Sequence, residues 1–137
     1  MAGAPVDVVR SVPLFAELSK KEAQQVARLF KPRRFAAGET VVREGSGGAA
    51  FFVVESGEAT ITIRGSERGR LAPGDHFGEI ALIDEGSRMA TITADTDLVC
   101  HGLTLWEFRP LVEQNGVIGW KLLQSLAKNL RDAHRVE

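Results

Sequence analysis

The residues of this 137-residue chain best suited to chemistry fall in one segment, Phe77-Gly-Glu-Ile-Ala-Leu-Ile-Asp-Glu-Gly-Ser-Arg-Met-Ala-Thr-Ile92. Gly78 permits close backbone approach, the helical turn expected after it points free N–H groups outward, and Arg88 brings a planar cation back toward them. N–H groups at the start of a helical turn, joined by a guanidinium, form an anion site, and phosphate is its natural guest. Glu79, beside this positive site, is poorly placed to touch phosphate and well placed to accept a hydrogen bond from a sugar hydroxyl. Phosphate and sugar together describe a nucleotide. Taken singly, Arg88 or Glu79 reads as a solvated loop charge. The nine-residue spacing between them, Gly78 and the helical interruption of a β pattern favour the ligand reading.

That segment interrupts an all-β middle. From Arg34 onward, short β-branched and aromatic runs alternate with glycine-bearing turns about every ten residues. The runs are Thr40 to Arg43, Ala50 to Glu55, Ala59 to Arg64, Arg70 to Ala72, Ala90 to Ala94 and Leu98 to Leu103. Thr60-Ile-Thr-Ile63 and Thr91-Ile-Thr93 alternate polar with apolar, as strands with one wet and one buried face require. Two stacked sheets or a flattened barrel follow. Ahead of them, Ser19 and Glu22 have capping-box spacing, and Ala23, Val26, Ala27 and Phe30 repeat at helical intervals until Pro32. After them, Thr104 and Glu107 repeat the capping-box spacing, Asn115-Gly116 supplies a stop, and a final helix is expected from about Val117 to His134. Ile118, Leu122, Leu123, Leu126, Leu130 and Ala133 form its apolar stripe, with Lys121, Lys128, Arg131 and Arg135 wet.

Composition narrows the partners. Seventeen Lys plus Arg against eighteen Asp plus Glu give a formal charge of −1, so nothing global draws the chain to nucleic acid or anionic lipid. The longest apolar stretch, Ala49 to Val54, is far short of the roughly 20 residues that cross a bilayer. Cys100 has no second cysteine to pair with, and the opening residues lack a signal-peptide pattern; both favour a cytoplasmic location. His76, His101 and His134 are too scattered for a metal cluster, and no His-x-His is present as in metal-binding cupins. Cys100 reads as a small buried hydrophobe, and Trp106 and Trp120 as packing or interface residues. No cofactor, metal or catalytic group is expected, and a metal-dependent cupin-like enzyme lacks its ligands.

The segment closely resembles the phosphate-binding cassette of the cyclic-nucleotide-binding domain family, whose common form is Phe-Gly-Glu-(Leu/Ile)-Ala-Leu, a short variable stretch, then Arg-Ala-Ala-Thr. Glu39 within Ala-Gly-Glu, Gly45, Gly57 and Pro73-Gly74-Asp75 also fit the family's turns. The resemblance implies one mainly β domain over residues 1–137: an N-terminal helical cap (1–31), a double-stranded β-helix of β-roll or jelly-roll type (32–103) carrying the cassette at 77–91, and two C-terminal helices (104–135). It further implies a cyclic-nucleotide site built from Gly78, Glu79, Ile80, Ala81, Arg88, Met89 and Ala90. Glu79 would take the ribose 2′-hydroxyl, Arg88 the exocyclic phosphate oxygens, and Gly78, Ala81 and Met89 would offer backbone N–H groups, while Thr91 supports the strand. Members preferring cyclic GMP carry a hydroxyl after the arginine; Met89 has none, so cyclic AMP is the expected ligand and cyclic GMP the less favoured one. In the family the last helix covers the base, and in its transcription-regulator branch hydroxylated side chains near that helix's end meet adenine. An ungapped match places Ala133 and His134 there, with Asn129 as a further polar candidate.

Transcription regulators with this sensor continue into a DNA-reading helix-turn-helix, whereas this sequence stops at Glu137. The expectation is a non-enzymatic cytoplasmic sensor that signals to a separate effector protein through movement of its C-terminal helices. Homodimerisation through the last helix is a further expectation; nucleic acid and membrane are not expected partners. The alternative is an interaction module that keeps the fold and has lost the ligand.

Overall fold

A computed structural model describes residues 3–84 and 86–134. Glu85 in the cassette and Arg135 at the end of the expected last helix lie outside the described residues. The N-terminal cap comprises α1 (Val6–Ser11), a 3-10 turn (Pro13–Phe15) and α2 (Lys20–Ala27). The expected capping box is present at α2: Ser19 Oγ accepts from Glu22 N–H at 3.2 Å, and Glu22 Oε1 accepts from Ser19 N–H at 2.8 Å.

The middle holds β1 (Lys31–Phe35), β2 (Thr40–Val42), β3 (Gly47–Gly48), β4 (Ala50–Ser56), β5 (Ala59–Ile63), β6 (Ser66–Leu71), β7 (His76–Phe77), β8 (Gly86–Ser87), β9 (Thr91–Ala94) and β10 (Leu98–Thr104). One sheet has the order β1-β10-β4-β7 and the other β2-β9-β5-β6; β3 and β8 form a separate pair. All the pairings are antiparallel. The chain is therefore mainly β with flanking helices, in a jelly-roll arrangement.

The two-residue strands β3, β7 and β8 are not expected from the sequence, and two longer strands depart from its reading for physical reasons. Lys31–Phe35 is charged and contains Pro32, yet it forms β1, an edge strand pairing only with β10, where charge is favoured and a missing N–H is tolerated. The strand expected at Arg70 to Ala72 begins at Ser66, because Arg64-Gly65 closes a two-residue hairpin with Arg64 at φ 53°. Since β6 is an exposed edge, its sequence lacks apolar alternation.

Strand β4 explains the long apolar run. Phe51 and Val53 belong to a core shared with the helices, whereas Phe52 and Val54 belong to the interior of the roll with Ala59, Ile92, Leu98 and Cys100. A strand buried on both faces must be apolar at every position. Phe51 anchors the helix-side core, with Phe15 and Phe30 meeting it edge-on at 6.0 and 5.9 Å.

The C-terminal helices are α3 (Leu105–Gln114) and α4 (Gly116–Ala133). Thr104 donates from both its N–H and its hydroxyl to Glu107 Oε1. Helix α4 is anchored by buried Ile118 and Leu122 and by Lys121, whose Nζ lies 2.6 Å from Glu22 Oε1 on α2. Other members of its expected apolar stripe, Leu123 and Leu130, are exposed. The tryptophans do not pack either: Trp106 is 66% and Trp120 63% exposed. No helix among the described residues is long and apolar enough to cross a membrane.

The Lys121 ammonium, followed by the Ser19 N–H, holds the Glu22 carboxyl below its ordinary value. The stability this contributes is present above the unfolded carboxyl range, about 4.3, and is lost as pH falls through the lower folded value. Glu22→Gln is thus expected to lower the urea midpoint at neutral pH, with the difference from the parent narrowing below about pH 4. Urea titrations across pH check this; a difference that stays constant into acid would deny the carboxylate its role.

Candidate functional site

The site is assembled where the segment around Arg88 folds against the loop and strands that precede β4. Gly47 pairs with Ser87 and Gly48 with Gly86. Beyond this ladder, Arg88 N–H donates to Ser46 O and Gly45 N–H to Arg88 O, each at 2.8 Å. Thr91 Oγ1 accepts from Glu44 N–H at 2.9 Å, so its hydroxyl supports the backbone of this loop.

These contacts fix the arginine's backbone and send its side chain across to β4, where Nη2 donates to Ala50 O at 2.6 Å. Nε is buried without a hydrogen-bond partner among the described residues. Burial pulls the Arg88 guanidinium below its ordinary value, the direction expected for a cation moved out of water. Arginine nevertheless keeps its proton at neutral pH. A positive charge is thereby held half-buried with a backbone carbonyl as its recorded partner.

Gly78 occupies the other side of the guanidinium at φ +88°, in the left-handed region. A Cβ there would lie 2.5 Å from Arg88 Nη1 and 2.8 Å from Ala50 O. Both conformation and space select glycine. The chain then makes the expected helical interruption as a 3-10 turn, Glu79–Leu82. Ala81, expected to offer its N–H to a ligand, instead donates it to Gly78 O at 3.0 Å, because an i to i+3 turn consumes that donor. The N–H groups of Met89 and Ala90 have no partner among the described residues.

Glu79 lies beside His76, with Oε2 3.6 Å from Nδ1. That separation is an ion-pair distance and too long for a hydrogen bond, leaving carboxylate lone pairs for a ligand. His76 is the leading cause that holds the Glu79 carboxyl below its ordinary value, against the opposing pull of burial. At neutral pH Glu79 is an acceptor only.

Gly78, Glu79, Ile80, Ala81, Arg88, Met89 and Ala90 all line one cavity of about 510 Å³. This lies within the roughly 300–1,000 Å³ of ordinary small-ligand sites. Phe77, Asp84, Gly86, Ser87, Val42 and Ile92 complete the lining. Met89 stands on the rim, 85% exposed. The proposed base-covering residues are elsewhere: Asn129, Ala133 and His134 are exposed on the last turns of α4 and do not line the cavity. Between α4 and the cassette runs a second, apolar opening of about 580 Å³, bordered by Leu82 and Ile83 on one side and Phe108, Val112, Trp120 and Leu123 on the other.

Sequence reasoning missed His76, Ala50 and Gly48. His76 sits three residues before Glu79, a spacing that offered a signal. Ala50 contributes only its carbonyl, which no side-chain pattern reveals. Gly48 is half of a Gly-Gly pair in a loop already rich in glycine. The remaining reactive residue types are quiet: Cys100 is fully buried, which pushes its thiol up to about 11, and no group of three metal-ligating side chains forms among the described residues.

Comparison with known proteins agrees with this architecture. The family description that matches is the cyclic nucleotide-binding domain, over residues 32–115. A cAMP-dependent protein kinase regulatory subunit from Yarrowia lipolytica is 38% identical over 92 residues, covering 66% of this chain and 24% of the relative. The chain thus spans about a quarter of the length of that curated relative. The N-terminal domain of a transcriptional regulator from Streptomyces coelicolor A3(2) superposes with a TM-score of 0.86 at 28% identity, covering 93% of this chain and 95% of that one. The regulatory domain of Toxoplasma gondii PKA with cAMP gives a TM-score of 0.68 at 30% identity, covering 77% and 42%. With the matched segment spanning most of the roll, the cassette and α3, the chain belongs to the cyclic nucleotide-binding domain family.

Proposed function

We propose that this chain is a non-enzymatic sensor of a 3′,5′-cyclic nucleoside monophosphate, cyclic AMP in preference to cyclic GMP, acting in the cytoplasm on a separate effector protein. The observation that carries the reading is Arg88: a half-buried guanidinium at a nucleotide-sized cavity, with neither a carboxylate partner nor a partner for Nε among the described residues. A cation kept in this state is stabilised when an anion arrives, and a cyclic phosphate brings one negative charge and two exocyclic oxygens to it. Met89 and Ala90 supply N–H donors beside it, and the Glu79 carboxylate takes the ribose 2′-hydroxyl. Met89 offers no hydroxyl to a guanine amino group, which supports adenine. The kinase regulatory subunit of Yarrowia lipolytica and the Toxoplasma gondii domain solved with cAMP support the same ligand.

Residues 1–137 act as one unit in this proposal, with the C-terminal helices as its output. Ligand binding orders the cassette and favours closure of α3 and α4 toward it, bringing the end of α4, with Asn129, Ala133 and His134, over the base. Such a ligand shifts an open and closed equilibrium only by its difference in affinity for the two states. A second copy is the proposed partner for the outer face of α4, where Trp120, Leu123, Ala127 and Leu130 recur at intervals of three, four and three residues, the spacing of a coiled-coil seam.

Calorimetry with cyclic AMP and cyclic GMP tests the reading, with cyclic AMP expected to bind more tightly. No heat and no melting shift with either would leave an interaction module that shares only the fold. Arg88→Ala is expected to cost about 2–5 kcal/mol of binding, roughly a 30-fold to several-thousand-fold loss, because a ligand charge is left unpaired. An unchanged affinity would remove Arg88 from the site. For Glu79, 2′-deoxy cyclic AMP should bind about tenfold more weakly than cyclic AMP to the parent and equally with it to Glu79→Ala. As the Glu79 carboxyl is held below its ordinary value, this discrimination should persist down to about pH 5 and fade only as the pH falls through that lowered value. Hydrogen exchange across residues 105–134 should slow on adding cyclic AMP; unchanged exchange would retain binding and discard the helix movement.

A further inference from the structure

We propose that Gly48 is a positioning residue for anion binding, the missing side chain that lets the Arg88 guanidinium lie against β3. The inference rests on the cyclic-nucleotide reading of the Arg88 cavity and adds a residue that does not itself line it. A Cβ built on Gly48 would fall inside the van der Waals envelope of Arg88 Nε and lie 2.6 Å from Cζ and 2.8 Å from Nη2. The backbone of Gly48 is outside the left-handed region, so its conformation alone does not demand glycine. Its neighbour Gly47 also lies outside that region, and a Cβ there meets nothing within 4 Å. Two adjacent glycines therefore differ in one respect, the guanidinium packed on the second.

The consequence is specific because of what has to give way. The obstructed atoms are the far end of a flexible arginine, whereas the Gly48 backbone is tied into the β3–β8 ladder through Gly86. An added methyl group displaces the guanidinium and leaves the ladder in place. The planar fork cannot shift off Gly48 and still hold Nη2 on Ala50 O, since its donors are rigidly arranged. Affinity falls while the fold persists, the pattern expected when a charged group is moved from its productive position.

The experiment compares Gly48→Ala, Gly47→Ala, Arg88→Ala and the Gly48→Ala/Arg88→Ala double variant, each titrated with cyclic AMP and melted without it. Gly48→Ala is expected to bind about tenfold or more weakly with a melting temperature close to the parent's, and Gly47→Ala to match the parent in both. In the Arg88→Ala background, Gly48→Ala should add no further loss. Binding within about twofold of the parent, or an equal added loss in the absence of Arg88, overturns the role. If Gly48→Ala fails to fold, the double variant decides: restored folding identifies the guanidinium as the obstacle, and continued failure refutes it. Exchange of the Arg88 Nε proton, followed by NMR and assigned by its disappearance in Arg88→Ala, reads the same point without ligand. It should be slow in the parent and in Gly47→Ala and faster in Gly48→Ala; unchanged exchange overturns the proposal even if the parent binds no nucleotide, an outcome that would sink the sensor reading separately.

Discussion

A half-buried arginine whose hydrogen-bond partner among the described residues is a backbone carbonyl is the constraint around which this domain is arranged. A guanidinium removed from water loses hydration, and a paired acid would restore much of that loss while neutralising the charge. Here the recorded partner is Ala50 O, a neutral acceptor, with Gly48 and Gly78 close against the side chain. The charge is retained and its position is fixed. The surrounding loops serve that position: backbone bonds tie Arg88 to Ser46 and Gly45, and the Thr91 hydroxyl meets the Glu44 N–H. Glycine density at residues 45–48, which looks like simple turn punctuation, brings two backbone segments close enough to enclose a side chain between them.

The scaffold beneath this cluster is rigid because β4 is buried on both faces. Phe52 stacks on Phe77 at 5.1 Å, joining the start of the cassette to the interior of the roll. Leu82, at the end of the 3-10 turn, is buried in the other core with Phe51, Phe108 and Ile118. The six residues from Phe77 to Leu82 thus leave one hydrophobic core and enter the second, passing the Arg88 cavity between them. A displacement of that turn is felt in the packing of the helices, since closely packed interiors transmit small shifts. Leu82 is the contact that joins this turn to the core shared with the helices, and Phe77 the one that joins it to the interior of the roll.

Much of this was legible in the sequence because it depends on residue type and interval. The Ser19–Glu22 capping box, the apolar run of β4, the helical interruption after Gly78 and the gathering of Glu79 and Arg88 at one cavity all follow from such patterns. What was not legible depends on distances between backbones. The carbonyl of Ala50 and the absent Cβ of Gly48 act through position alone, and neither alters a periodicity. Strands β1 and β6 were obscured for a related reason: edge strands carry charge on both faces, so the alternation that identifies a half-buried strand is missing. The single apolar stripe expected on α4 is divided, for one helix carries two apolar faces. Ile118 and Leu122 are buried by the domain, while Trp120 and Leu123 are left outside it.

That second face constrains how any signal can leave the domain. Trp120 and Leu123 border the opening beside Leu82 and Ile83, and they also belong to the three-four-three seam that continues to Ala127 and Leu130. Apolar surface of this extent is stabilised by whichever surface covers it, with no directional preference of its own. The cassette and a second copy of the helix would therefore draw on the same side chains. The proposed closure toward the cassette would remove Trp120 and Leu123 from the seam, and the proposed pairing along the seam would hold them away from Ile83. In the proposed sensor, a ligand that reorganised the Glu79–Leu82 turn would alter the competition at its intramolecular end, and a dimer would respond without any contact between nucleotide and neighbour. Coupling of this kind needs only one shared helix face and two mutually exclusive ways of burying it.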